Sequence, residues 1–388
     1  MDRLDYLAER LGPRLLVVHP SERFLYLADW WANTVVAYAI DPTSGQLTPI
    51  PASPISAGRR PRALTIAPGG RFLYAANWES GTLDGWQIEP EHGALSPVPG
   101  SPFNVGPNPR NIRFDPLGRF GFVSLAGGGA IATLRLDPAT GALCPCPGSP
   151  APSAPFPRSA MIDPSGSFLY TAHEGGRVVS GYRVDPDTGT LTPVQGSPFP
   201  AGKDPRFVTV HPDGPWVYVP NQRSNDLSAY RIDPKTGSLD PLPGAPFRAG
   251  RRPFQFVISP DGRFGYLANE KAASLSAYRI DPVSGTLAPV AGSPFATGTR
   301  PIWPVISPTG RLLLVANRDS NDLSGWQVDL ASGGLERLPG GPIRTGPRPR
   351  AVTISPSGRF AFLGHDAGAS GFALPPDGSG VRPIRPAE

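Results

Sequence analysis

A proline recurs every 48 residues along this chain, at Pro20, Pro68, Pro116, Pro164, Pro212, Pro260, Pro308 and Pro356. A fixed period over almost the whole length excludes most folds. Each copy has to be one supersecondary unit that buries its apolar faces only against its neighbours. Around the sixth proline the chain reads ISPDGRFGYLANE (Ile258–Glu270), and near-copies stand at Thr65–Asn77 and Thr353–His365.

Each copy divides into four short β-like segments. In the sixth these are Phe254–Ser259, Arg263–Asn269, Ser274–Ile280 and Thr286–Gly292, separated by the turns PDG and DPVSG. The 46 glycines and 52 prolines punctuate apolar runs at fixed offsets, which is turn chemistry rather than low complexity. Four strands per repeat of this length is the signature of a β-propeller blade. The fold class is therefore all-β: four-stranded antiparallel blades, eight favoured because all four segments can be traced in every copy. Seven blades with a spare half-copy is the alternative, since the last fourth segment carries Pro383 and Pro386. Apolar pairs such as Leu64/Ile66, Val208/Val210, Phe256/Ile258 and Val352/Ile354 are expected to pack between blades. The propeller domain spans residues 15–388. Residues 1–14 form a capping segment, with a short amphipathic helix over Leu4–Leu11.

The other bounds are simple. Of 388 residues, 39% are hydrophobic and 17% charged, which suits a folded chain. The net charge of +5 comes from arginine, the only lysines being Lys203, Lys235 and Lys271. That bias admits anionic ligands, but no nucleic-acid motif accompanies it. No signal-peptide core and no run of 18 apolar residues occurs, so no membrane span is expected and the expected compartment is the cytoplasm. Cys144 and Cys146 read as reduced thiols. No metal or cofactor motif is present, and no cofactor is expected.

With the repeat in view, the chain resembles the lactonase-type, YVTN-repeat β-propellers, a group that includes bacterial 6-phosphogluconolactonase-like proteins. SPDGRFGYLANE, followed by LSAYRIDPVSGTLAPVAGSPF, and their equivalents carry the resemblance. It implies a propeller, usually of seven blades, that hosts hydrolases, ring-opening or ring-closing enzymes, or binding proteins. Such enzymes often carry a histidine in a GPRH-like phrase before an inner strand. Here the corresponding positions hold Asn111, Ser159, Phe207 and Gln255. The NE pair that often ends the second strand is kept as Asn269-Glu270.

With strands named a to d outward, the tight a–b and c–d turns fall on one face. The variable b–c and d–a loops surround the channel mouth, where a site is expected. Arginine stands six residues before the repeat proline at Arg14, Arg62, Arg110, Arg158, Arg206 and Arg350. A ring of guanidiniums suits a carboxylate or phosphate; local packing is the bland alternative. The position ending strand b is asparagine in four copies and Asp29, Leu125, His173 and His365 in the others. HEGGR (His173–Arg177) groups an imidazole, a carboxylate and a guanidinium, so His173, Glu174 and His365 are the candidate catalytic groups. Copies 4 and 8 would set His173 and His365 across the mouth. Candidate substrate contacts are Arg110, Arg113, Arg158, Arg206, Arg177, Trp303, Gln255, Glu270, Asp29 and Trp30. Arg113 is a lone charge where its equivalents are Val, Thr or Met. Trp30, Trp31, Trp78 and Trp303 offer faces for sugars, flat rings or partner proteins. His19 and His211, beside turns on the far face, read as structural. The expected ligand is small and anionic or sugar-like, with lactone hydrolysis the leading reaction. A non-catalytic scaffold with a protein partner is the rival, and a lyase or isomerase on a conjugated acid the third reading.

Overall fold

A computed structural model describes residues 15–375 and 380–384. The expected helix at Leu4–Leu11 and Arg14 lie outside the described residues. The chain forms eight consecutive sheets, each built from a contiguous stretch of sequence. Blade 4 is typical: strand a is Pro157–Ile162, b is Phe168–His173 and c is Val178–Val184. Strand d is split into Leu191–Pro193 and Phe199–Pro200, which pair with opposite ends of strand c. The prolines of GSPF interrupt d, and the Ser197 hydroxyl accepts the Gly181 N–H left over in strand c, at 3.0 Å. In blade 8 strand d shrinks to Arg382–Pro383, as its prolines demand. No helix among the described residues is long and apolar enough to cross a membrane.

Strand a is innermost and contacts the a strands of the blades on either side, all the way round. The core is correspondingly split into eight clusters, one per seam. Val208 and Val210 pack on Tyr170 of blade 4, Phe256 and Ile258 on Tyr218 of blade 5. The eighth cluster joins Phe360 and Phe362 to Leu25 and Ile40.

Polar contacts repeat at the seams with a fixed offset of 67 residues. Tyr26, Tyr74, Tyr170, Tyr218 and Tyr266 donate their hydroxyls to Gly93, Gly141, Gly237, Gly285 and Gly333 carbonyls of the next blade. The arginine after the a–b turn likewise donates to a proline carbonyl, Arg23 to Pro90, Arg71 to Pro138 and Arg119 to Pro186. Arg359 makes the same bond to Pro42, closing the ring from blade 8 to blade 1. Eight blades fit because that contact is reproduced at the closure. His19 and His211 bond the Gly70 and Gly262 carbonyls at 2.8 Å on the turn face.

Candidate functional site at the channel mouth

Strand a does not run straight into the mouth. Its register with strand b slips between Pro157 and Ala160, and between Pro109 and Ile112. Such a bulge re-aims the side chains within it, and Arg158 and Arg110 lie inside these two. In seven blades the residue before the equivalent proline is left-handed without being glycine: Arg60, Asn108, Phe156, Asp204, Arg252, Arg300 and Arg348, with φ between 50° and 61°. The loops of the preceding blade brace them. Asn33, Asn225 and Asn321 accept the Arg60, Arg252 and Arg348 N–H groups with their side-chain carbonyls, at 2.7–2.8 Å.

Facing the bulges is the first residue after strand b: Trp30, Trp78, Ala126, Glu174, Gln222, Glu270, Arg318 and Asp366. The mouth is thus aromatic or small on blades 1–3 and polar on blades 4–8. Glu174 is the centre of the polar half. Its carboxylate accepts from Arg110, from Arg158 Nη1 at 2.8 Å and from Arg206 Nη1 at 2.9 Å. Burial alone would raise its pKa, but the charges of Arg110, Arg158 and Arg206 outweigh that and hold the carboxyl well below its usual range. Arg206 also donates to Gln222. Gln222 Nε2 donates to Glu270 at 2.9 Å, and Arg300 Nε donates to Glu270 at 2.6 Å, with Arg252 Nε 3.7 Å away. Arg350 Nε bonds Asp366 at 3.2 Å. Arg318 is pushed down to about 10 by burial, then by the charges of Arg350 and Arg300. Arginines outnumber carboxylates around this wall.

In the aromatic half, guanidiniums and indoles alternate. Arg60 and Arg62 lie 5.5 and 5.9 Å from the Trp30 ring, and Arg62 and Arg110 lie 5.0 and 5.7 Å from Trp78. Trp30 Nε1 is buried without an acceptor among the described residues. One residue deeper than the arginine column, Asn111 donates to Ser159 Oγ at 3.3 Å. The side-chain carbonyls of Asn111 and Gln255 have no donor among the described residues. Phe207 lies between them in the chain and packs edge-on against Phe254 and Trp303.

The candidate residues therefore separate. Glu174, Arg110, Arg158 and Arg206 meet, and Glu270 heads a second cluster. Trp303 and Gln255 lie below them on inner strands. Trp30 belongs to the opposite half, and Asp29 beside it accepts the Trp31 and Ala32 N–H groups in a loop turn. Arg177 is exposed and stays outside the Glu174 cluster. Arg113 is exposed in the lumen with no hydrogen bond or ion pair among the described residues. The protein around it lowers its pKa by desolvation, but open access to water keeps the guanidinium solvated. Among the described residues no His, Cys, Asp or Glu group could hold a metal ion. Gln222, Arg252, Arg300 and Arg318 escaped the sequence reading. Their signal was the column one residue after strand b, which turns from apolar to polar or charged at blade 4, and the position before the inner-strand proline, where arginine recurs.

The two histidines are not brought together. His173 is fully buried; its Nδ1 faces the Pro155 carbonyl at 3.2 Å and its Nε2 the Ser180 hydroxyl at 2.9 Å. A carbonyl only accepts, so Nδ1 carries the proton and Nε2 receives the serine's. Asn221, Asn269 and Asn317 clip the equivalent Ser228, Ser276 and Ser324, and His365 clips Ser370. Burial pushes His173 down to about 4. The sign follows from linkage: the unfolded imidazole takes a proton below about 6.5, the folded one only near 4. Stability is therefore complete above about 6.5 and declines as the pH falls towards 4, by about 3 kcal/mol. His173→Asn, the residue of four other blades, should remove that loss. Urea midpoints of both proteins at pH 7 and 4.5 test this, and equal pH sensitivity would contradict it.

A family model described as "Lactonase, 7-bladed beta-propeller" matches residues 8–108, 107–201, 159–248 and 242–346. No curated protein matches the chain. Solved structures share its fold. A candidate 6-phosphogluconolactonase from Bacteroides fragilis aligns at 21% identity and TM-score 0.65, over 84% of this chain and 96% of that one. The Pseudomonas aeruginosa periplasmic gluconolactonase PpgL aligns at 23% and 0.62, over 81% and 93%. Hydrazine synthase of Kuenenia stuttgartiensis aligns at 17% and 0.57, over 97% and 96%. At these identities the likeness is one of fold.

Proposed function

The chain belongs to the lactonase family of β-propellers, and on that premise we propose that it opens the lactone ring of a small, oxygen-rich acid at the channel mouth. One observation carries the reading: an arginine-rich wall lies one strand position above amide carbonyls that have no donor among the described residues, and above aromatic faces. Guanidiniums suit the ligand's carboxylate or phosphate. The Asn111 and Gln255 carbonyls lack donors among the described residues, and sugar hydroxyls are donors of the right kind. Trp303 and Phe207 offer faces to the C–H side of a ring.

Hydrolysis adds water to the lactone carbonyl carbon, gathers negative charge on the carbonyl oxygen and breaks the ring C–O bond. The proton lost by water ends on the departing ring oxygen, giving a hydroxy acid. Arginines aimed at the developing oxyanion lower the barrier electrostatically, and Glu174 is the carboxylate placed among them to take the proton. His173 and His365 are given a clipping role, because their nitrogens already serve the sheet. That same observation favours a second reading, a propeller that binds its ligand without turning it over.

A pH-stat assay with purified protein and a panel of sugar-acid lactones separates the two. The hydrolase reading expects ring opening above the spontaneous rate, and Glu174→Gln should lower kcat/KM by at least about 100-fold. Binding without acceleration of any lactone would leave the second reading.

A further inference from the structure

Glu174 fills an arginine cradle that does not depend on it for its shape. Arg158 stacks on Phe207 and Phe254, with its guanidinium carbon 5.1 and 5.7 Å from the ring centres. Arg206 lies 6.0 Å over Phe254, and Arg110 lies 5.7 Å over Trp78. Gln222 holds Arg206 from the side. Aromatic faces thus fix the guanidinium planes and leave their N–H edges turned to the carboxylate. Glu174 accepts from all three guanidiniums, and Asp204 Oδ2 lies 3.8 Å from Arg206 Nη2, so the cradle is built to hold negative charge and favours an anion of higher charge than one carboxylate.

Glu174 is also placed to leave. Its side chain is 15% exposed, whereas that of Glu270 in the neighbouring cluster is 2% exposed. Its backbone is anchored, Glu174 N–H to the Phe156 carbonyl at 3.0 Å and Gly175 N–H to Asp204 Oδ1 at 2.9 Å. Exchange therefore needs only side-chain rotation. Space is available beside it: a Cβ on Gly175 would meet nothing within 4 Å.

We propose that Arg110, Arg158 and Arg206 form a binding site for the anionic group of a small ligand, a carboxylate or a phosphate monoester, and that Glu174 is its built-in stand-in, displaced when the ligand binds. This rests on the mouth being the ligand site, and not on hydrolysis. Displacement has a chemical consequence. Away from the three guanidiniums, the Glu174 carboxyl regains ordinary basicity beside the bound ligand. The ligand's own charge would then switch on the proton acceptor, and an uncharged lactone would not.

The test is calorimetric titration of the full chain with inorganic phosphate and, separately, with acetate, at constant ionic strength. Glu174→Gln should bind the preferred anion at least about tenfold more tightly than the wild type. Adding Arg158→Gln should abolish the gain. The stronger of the two anions identifies the ligand's acidic group. A natively folded Glu174→Gln that binds neither anion more tightly overturns the proposal. Should that variant not fold, Glu174→Asp retracts the carboxylate by one methylene, and several-fold tightening is expected; unchanged affinity would again overturn it. Tightening without any lactone opening removes the catalytic reading alone, and lactone opening without tightening removes this one alone.

Discussion

Gly237→Ala is expected to cost about 2–5 kcal/mol, among the largest losses available to a one-carbon change in this ring. Gly237 turns strand c into strand d with φ 75°. An added Cβ would lie 2.2 Å from Phe168 Cδ1 of the adjoining blade. The left-handed backbone contributes about 1–2 kcal/mol, and crowding a packed seam about 1–3 kcal/mol more. Phe168 has little freedom to withdraw, because it is buried and the Tyr170 hydroxyl bonds the Gly237 carbonyl at 2.8 Å. Gly340 provides the control. It is equally left-handed, φ 84°, but a Cβ there meets nothing within 4 Å. Gly340→Ala should therefore show the backbone cost alone. Chemical denaturation of both variants decides the matter, and equal losses would mean that the seam yields.

Glu270→Ala is the second large effect, a loss of about 3–5 kcal/mol. Its carboxylate is 2% exposed and answers Arg300, Gln222 and Arg252 together. Without it the low-polarity wall keeps its cations and loses the charge that they surround, and Arg300 and Arg318 repel each other with less opposition. A urea midpoint shifted by under about 1 kcal/mol would show that water replaces the carboxylate, which contradicts the burial.

The blade count and seam packing were legible because spacing is a property of the backbone: Pro20 to Pro356 mark one turn in each blade, and Val208/Val210 fall on the seam by alternation. The arginine column was legible too, since a repeated position keeps the same height in every blade. What the column did not reveal is who meets whom. Arg110, Arg158 and Arg206 come from three blades and share Glu174 only because bulges turn the first two towards it. His173 illustrates the opposite case. At the end of a strand and beside Glu174 it reads as a base, yet Ser180 seven residues later, matching Ser228, Ser276 and Ser324 after their asparagines, already marked a sheet clip. Gln222 and Arg318 stood in the column one residue after strand b, but their roles come from neighbours on other blades.

Closure of the ring by the Arg359–Pro42 bond, the same contact as at the first three seams, bears on chain order. Among the described residues each blade is completed by its own stretch of sequence, and no strand acts as a latch. Cutting the chain in a different d–a loop and tethering blade 8 to blade 1 would permute the sequence while leaving each interface with its original partners. The circle is held by surfaces, and where the covalent thread starts is a free choice.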